Sequence, residues 1–187
     1  NHLNVQGIPG GRSGGYSGRM TRWLSDDEQR TWRALLDLNR LLMQSTDRQL
    51  QRDSGIPATY YAILVTLSEA PDRHMRMSAL ADALEGSQSR LSHAVSRLED
   101  RGWVERRRCP SDGRGWYAVL TDAGLEALQS AAPAHVEHVR SIVFDVLDEN
   151  QQKLFAPVEA QMRANAAARD KRMEEFRAEF EARRAEP

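Results

Sequence analysis

The sequence predicts a mostly α-helical fold that carries one small β-hairpin and a long helix at each end. Apolar residues recur three and four positions apart through residues 32–50 and again through 125–147, which is the period of an amphipathic helix. Residues 103–121 lack that period, and β-favouring residues there flank a turn rich in proline and glycine. Two short helical stretches meet at Gly86 with the spacing of a helix-turn-helix. Together these observations predict a winged helix-turn-helix with long terminal helices.

Length and composition fit one domain with a single core, and they exclude several classes of protein. The chain has 187 residues, of which 40% are hydrophobic. It has no run of about 18 apolar residues and no secretion signal, so we expect a cytoplasmic protein without a membrane partner. The single cysteine, Cys109, excludes an internal disulfide framework.

Positive charge is concentrated in one stretch, although the whole chain carries a formal net charge of -1. Residues 90–114 contain seven arginines and four acidic residues, a local net charge of +3. The arginines are Arg90, Arg97, Arg101, Arg106, Arg107, Arg108 and Arg114. Because binding to nucleic acid depends on local charge, this stretch is the predicted contact with DNA.

The first 19 residues hold half of the 12 glycines and almost no apolar period. We expect residues 1–19 to be a vector-derived or disordered arm, with Met20 as the natural start. The alternative is a native arm that reaches DNA with Arg12 and Arg19.

Residues 20–56 are predicted to form an N-terminal dimerisation helix. Ser25 and Glu28 have the spacing of a capping box, and an apolar stripe then continues to about Asp53, where Gly55 stops the helix. A helix of roughly 28 residues is about 40 Å long, which exceeds what one winged domain needs for its own core. Part of the stripe should therefore contact a second chain.

Residues 57–120 are predicted to form the DNA-binding domain. Pro57 suits the first turn of a helix that ends near Ala70, and a short helix capped by Ser78 follows, up to Glu85. The next helix begins at Ser87 or Gln88 and ends near Arg101. With Leu91, Val95 and Leu98 inward, its predicted DNA contacts are Ser87, Gln88, Ser89, Arg90, Ser92, His93 and Arg97.

The predicted hairpin, the wing, places Arg114 on an exposed loop tip. A guanidinium there suits the phosphate backbone or a narrow minor groove. Strand alternation puts only every second side chain of the run 106–108 on one face, so one or two of its arginines should reach DNA. We assign that role to Arg106 and Arg108.

Residues 121–187 are predicted to form C-terminal dimerisation helices and a charged tail. Thr121 caps a long helix that runs to Leu147 and is kinked by Pro133, and Asp148 begins the last helix. Beyond residue 168 the sequence is mostly charged, with Met173, Phe176 and Phe180 three and four positions apart.

Three stretches carry a resemblance to a known family: residues 77–84 (MSALADAL), residues 89–106 (SRLSHAVSRLEDRGWVER), and residues 112–114 (DGR) with 119–124 (VLTDAG). Over residues 24 to about 160 the chain resembles the MarR family of winged-helix transcriptional regulators. The resemblance implies an obligate homodimer with interlocking terminal helices and a recognition helix in each major groove. It also implies that Arg114 enters the minor groove, and that Asp112 supports the wing through a salt bridge to Arg97 or Arg101.

Two departures limit what the resemblance implies. Many members carry a basic residue in the middle of the recognition helix, where this chain has His93, so the target sequence is not transferable. Members that sense peroxides use a cysteine near the start of the first helix, which this chain lacks, so thiol sensing by that route is not expected.

Three further sets of residues have a functional and an ordinary interpretation. Cys109 lies beside three arginines that favour a reactive thiolate, but we prefer an ordinary strand cysteine. His135 and His138 have a spacing that can share a metal, but without a third ligand we expect a solvated helix face, no metal and no cofactor. Aromatic residues could line a pocket for a small phenolic or anionic effector, although we prefer ordinary core packing as their explanation. They are Trp32, Tyr60, Tyr61 and Trp116.

The predicted function is a homodimeric transcriptional regulator, a repressor that binds a pseudo-palindromic operator and responds to a small-molecule effector. An enzyme is not expected, because the chain has no glycine-rich phosphate loop, nucleophile elbow or paired carboxylates. The alternative is a winged helix that contacts only protein. The local charge of +3 argues against it.

Overall fold

The computed structural model describes residues 23–109 and 112–185, without the side chains of 112–114, 179 and 182–185. The predicted arm at residues 1–19 lies outside the described residues. The chain divides between Asn39 and Arg40 into two compact units.

The first unit contains the start of helix α1 (Asp26–Ser54). The predicted capping box is confirmed: the Ser25 amide donates to Glu28 Oε2 at 2.8 Å, and the Glu28 amide donates to Ser25 Oγ at 3.2 Å. The apolar side chains of this part of α1 are exposed, and Trp32 retains 52% of its accessible surface.

The second unit contains the remainder of α1, which ends as predicted where Gly55 adopts a φ of +67°. Helices α2 (Ala58–Glu69), α3 (Met77–Ala83) and α4 (Gln88–Asp100) follow. These three helices confirm the predicted helix-turn-helix and its preceding helix. Pro57 lies at the N-cap of α2, one position earlier than the first helical turn.

The wing is one part of a three-stranded antiparallel sheet rather than an isolated hairpin. Its strands are β1 (His74–Arg76), β2 (Val104–Cys109) and β3 (Asp112–Leu120), in the order β1-β3-β2. Met75 pairs with Ala118 on one side of β3, and Arg106 pairs with the same residue on the other. The sequence prediction missed β1, which continues directly into α3.

One predicted detail of the helix-turn-helix is wrong. Ser78 does not cap α3, because β1 places the extended residue Arg76 at the N-cap and the helix begins at Met77. The turn predicted at Gly86 is confirmed, because Gly86 lies between the end of α3 and the start of α4, and Glu85 before it adopts a left-handed φ of 49°.

The C-terminal part of the chain contains α5 (Asp122–Val139) and α6 (Glu149–Ala185). Thr121 caps α5 as predicted, since its Oγ1 accepts from the Gly124 amide at 3.0 Å. The predicted continuous helix to Leu147 is wrong: α5 runs through Pro133 and gives way to a π-helical turn at Arg140–Phe144. Asp148 begins the last helix as predicted, because its Oδ1 accepts from the amides of Asn150 and Gln151.

The core of the second unit lies between α2, α3, α4, the sheet and α5. Leu91, Val95 and Leu98 are its buried contribution from α4, as predicted. Their burial fixes which face of α4 remains outside. None of the helices in the described part of the chain combines the length and the hydropathy that a membrane span requires.

Candidate nucleic-acid interface

The outer face of α4 carries the residues predicted to contact DNA. Gln88, Ser89, Arg90, Ser92, His93 and Arg97 are all exposed. Ser87 is exposed as well, but its hydroxyl caps the helix by accepting from the Arg90 amide at 3.3 Å. Ser89, Ser92 and His93 are three and four positions apart, so they lie on one side of the helix. The structure therefore brings most of the predicted contacts together on one polar surface.

The three arginines of β2 have different surroundings. Arg107 is exposed and lies 2.9 Å from the Glu105 carboxylate on the same strand. Arg108 is exposed and stacks over the Trp116 ring at 5.3 Å. Arg106 is half-buried and turns toward α4. Of the two arginines assigned to DNA, Arg108 is thus the exposed one.

Strand β3 begins at Asp112, which pairs with Cys109, so the backbone of Arg114 belongs to the strand and the predicted position on a loop tip is wrong. The side chains of Asp112 and Arg114 lie outside the described residues. Both candidate partners of Asp112 have other contacts. Arg97 lies 3.7 Å from Asp100. Arg101 donates to the Gly55 carbonyl at 3.3 Å and stacks over Trp103 at 4.9 Å. The roles assigned to Asp112 and Arg114 stay predictions.

Arg106 connects the wing to α4. Its Nη2 donates to the Ser92 carbonyl at 2.5 Å and lies 3.3 Å from Ser92 Oγ. Its Nε is 3.4 Å from Glu99 Oε2, and its backbone amide donates to Glu99 Oε1 at 2.9 Å. Beside this contact is a cavity of about 580 Å³ between α3, α4 and the wing, lined by Arg76, Met77, Ser78, Gln88, Ser92, Arg106, Gly115 and Trp116.

Cys109 is buried at the base of the wing. Arg76 Nη2 donates to its Sγ at 3.2 Å, and the same guanidinium lies over the Tyr117 ring at 5.8 Å. The sequence suggested the arginines of β2 as the neighbours of this thiol. Arg76 was missed because it belongs to β1, a strand too short to be recognised from its own residues.

The two histidines of α5 do not form the predicted solvated face. His135 Nδ1 lies 3.2 Å from Gln49 Oε1, and its ring packs 4.7 Å from Tyr61. His138 Nε2 lies 3.1 Å from Ser45 Oγ. Both rings therefore connect α5 to the C-terminal half of α1. Burial, with a smaller effect of His138, lowers the pKa of His135. Among the described residues, no group of three side chains could hold a metal ion.

The aromatic residues proposed to bind an effector are placed differently from one another. Tyr60 and Tyr61 are half-buried and pack against the core, and burial raises the pKa of Tyr61. Trp32 belongs to the first unit. A separate cavity of about 190 Å³ lies between the end of α1, Trp103 and α5, lined by Asp53, Ser54, Ile56, Trp103, Ala127, Ser130, Ala131 and Ala134. Neither tyrosine is among its lining residues, so that role of Tyr60 and Tyr61 stays a prediction.

Known proteins are similar to this domain in both sequence and architecture. A sequence model of the MarR family matches residues 54–115, from the end of α1 into the wing. Sco3205 from Streptomyces coelicolor, a MarR family transcriptional regulator solved in complex with DNA, is 49% identical and superposes with a TM-score of 0.72. That match covers 79% of this chain and 91% of Sco3205. The chain belongs to the MarR family.

Other known regulators are similar at lower identity or over a shorter length. AbsC, also from Streptomyces coelicolor, is 43% identical with a TM-score of 0.69, over 77% of this chain and 99% of AbsC. The transcriptional repressor MprA of Escherichia coli K12 is 30% identical over 101 residues, or 54% of this chain. The chain spans 57% of the length of MprA. Membership of the MarR family places the protein among transcriptional regulators and not among enzymes.

Proposed function

We propose that the protein is a homodimeric, sequence-specific DNA-binding repressor that responds to a small-molecule effector. The observation that carries the proposal is the exposed polar face of α4 beside an arginine-bearing wing, in a chain 49% identical to a regulator solved with DNA. The similarity to MprA, named as a repressor, supports the direction of regulation. The test is preference for the intergenic DNA upstream of the protein's own gene over a scrambled duplex.

DNA would be read by α4 in the major groove and by the wing beside it. The serine hydroxyls and His93 on the outer face of α4 are short polar groups that can approach base edges closely. Arg90, Arg97, Arg108 and Arg114 supply positive charge around them, which favours the phosphate backbone. A two-fold symmetric dimer requires a pseudo-palindromic operator with half-sites about one helical turn apart.

Exposed apolar side chains on α6 support homodimerisation. Leu154, Phe155, Val158 and Met162 are 51–63% exposed, and their three- and four-residue spacing places them along one stripe. Contiguous apolar surface of this kind typically marks a protein contact. The occupant we propose is the equivalent stripe of a second copy, as expected for an isologous two-fold interface.

Phe155→Glu should convert the dimer to monomer, because it places a carboxylate in the apolar stripe. We expect light scattering to give twice the 21.2 kDa chain mass for the wild type and the single mass for the variant. Lys153→Glu, a change on the same turn at a residue already paired with solvent-exposed Glu149, is the control and should remain dimeric. A wild-type protein that is monomeric at micromolar concentration would contradict the proposal.

The cavity at the end of α1 is the site that we propose for the effector. Asp53 is one of its lining residues, and hydrogen bonds from Arg52 and Gln49 lower the pKa of its carboxyl group. An ionised carboxylate at this position repels anions and accepts a hydrogen bond from a hydroxyl. Of the two predicted effector classes, a phenol therefore fits this cavity better than an anion.

A ligand in this cavity would lie against Trp103, three residues after the end of α4. The ligand can regulate DNA binding only if it binds more tightly to one conformation of the dimer, in which the distance between the two recognition helices does not match the operator. We expect phenol to release the protein from DNA at concentrations where benzoate, of similar size, does not. In Asp53→Asn this discrimination between phenol and benzoate should shrink. Equal effects of the two compounds on the wild type would contradict this assignment.

A further inference from the structure

Arg106 contacts α4, the recognition helix, at two points. The guanidinium donates to Ser92 and lies against the Glu99 carboxylate, while the backbone amide of Arg106 donates to that same carboxylate. Ser92 and Glu99 are seven residues apart, so they lie on the same side of α4, two turns from one another. A single side chain from the wing therefore fixes the position of the helix along two turns.

This ion pair is more enclosed than its neighbour on the same strand. The side chains of Arg106 and Glu99 are 25% and 30% exposed, against 65% and 55% for Arg107 and Glu105. Arg106 Nε is fully buried, with no hydrogen-bond acceptor among the described atoms, and contacts Glu99 through charge. Moving the guanidinium outward to a DNA phosphate would leave the Glu99 carboxylate without this partner, which is costly for a partly buried charge.

We propose that Arg106 is a positioning residue that orients the Ser92 hydroxyl for base recognition and does not itself contact DNA. A serine hydroxyl has one hydrogen to donate and two lone pairs. Because Arg106 Nη2 donates toward Ser92 Oγ, that oxygen acts as the acceptor, and the hydroxyl hydrogen is left to point into the groove. Ser92 then selects a base edge that accepts, such as N7 or O6 of guanine or O4 of thymine. This inference rests on the proposed DNA-binding function.

A positioning role and a phosphate contact have different signatures. Each phosphate neutralised by an arginine releases a counterion. Loss of a phosphate contact therefore reduces the slope of log affinity against log salt by about one unit, and it lowers the affinity for all DNA sequences alike. Loss of a positioning residue leaves the slope unchanged. It instead reduces the preference for the correct base pair.

The experiment compares operator duplexes substituted one base pair at a time, across a salt series. We expect Arg106→Ala and Ser92→Ala to reduce discrimination at the same base pair about twofold to tenfold, with unchanged salt slope. The double variant should lose no more than either single one, because both changes remove the same interaction. Arg107→Ala, on the same strand but paired with Glu105, is the matched control and should retain discrimination.

Two further variants separate the alternatives if Arg106→Ala folds poorly. Arg106→Lys retains the charge but not the planar guanidinium. A phosphate contact would be preserved in this variant, whereas a positioning contact would be lost, so we expect reduced discrimination between base pairs with an unchanged salt slope. Glu99→Gln should reduce discrimination between base pairs, although it removes a negative charge and so adds no repulsion toward DNA.

Reduced slope with intact discrimination in Arg106→Ala, or full discrimination in both Arg106→Lys and Glu99→Gln, would overturn the inference. Absence of any operator preference in the wild type would instead overturn the proposed function.

Discussion

Gly124→Ala should destabilise the DNA-binding domain by about 1–3 kcal/mol, the usual cost of forcing an extra carbon into a packed core. Gly124 is buried in the first turn of α5, where a Cβ would collide with the Trp103 carbonyl oxygen and lie 2.8 Å from Leu120 Cδ1. The backbone cannot easily retreat, because the Thr121 amide donates to the Trp103 carbonyl at 3.1 Å and Thr121 Oγ1 donates to the Gly102 carbonyl at 2.7 Å.

Thermal unfolding followed by circular dichroism measures this effect. For a chain of this size each kcal/mol lowers Tm by roughly 2–4 °C. Glu126→Ala, an exposed change two residues further along the same helix, is the control and should alter stability by less than about 0.5 kcal/mol. An unchanged Tm in Gly124→Ala would mean that α5 does not start against Trp103 as described.

Arg114→Ala should weaken operator binding by about 1–3 kcal/mol, or roughly fivefold to 150-fold, without affecting dimerisation. The residue belongs to β3, two positions after the strand begins at Asp112, and a guanidinium in the wing suits the minor groove or the phosphate backbone. Fluorescence anisotropy with a labelled operator measures the loss, and light scattering checks the dimer.

A control for Arg114→Ala must remove the same charge at a position away from the wing. Arg177→Ala in α6 meets this requirement, because the residue is exposed and α6 contains no predicted DNA contact. Its operator affinity should stay within twofold of the wild type, as a rough bound for a distant surface charge. Equal losses in the two variants would assign the effect to net charge and remove Arg114 from the interface.

Local signals made much of the fold predictable. The capping box at Ser25, the helix start at Asp148, the Thr121 cap and the apolar spacing of α4 depend on residues close together in the chain, and the structure confirms each of them. The strand β1 escaped prediction because three residues cannot show an alternating pattern, and its pairing with β3 is decided by tertiary contact. The failure at Ser78 follows directly, since α3 begins where β1 ends.

The candidate site was predictable as a surface but not as a set of contacts. Helical spacing placed Ser92 and His93 outward on α4, and both are exposed. Spacing could not reveal that Arg106 turns toward α4, because that depends on the angle between wing and helix. Likewise, the positions of His135 and His138 along α5 could not show that α1 supplies their hydrogen-bond partners.

Operator preference is the most direct test of the central claim that α4 and the wing read DNA sequence. Anisotropy should be measured with the full chain, on the upstream intergenic DNA and on a scrambled duplex of equal composition, from low to physiological salt. We predict tighter binding to the upstream DNA at every salt concentration, with affinity that falls steeply as salt rises. Equal affinity for the two duplexes, or no binding at low salt, would contradict the account and favour a winged helix that contacts protein.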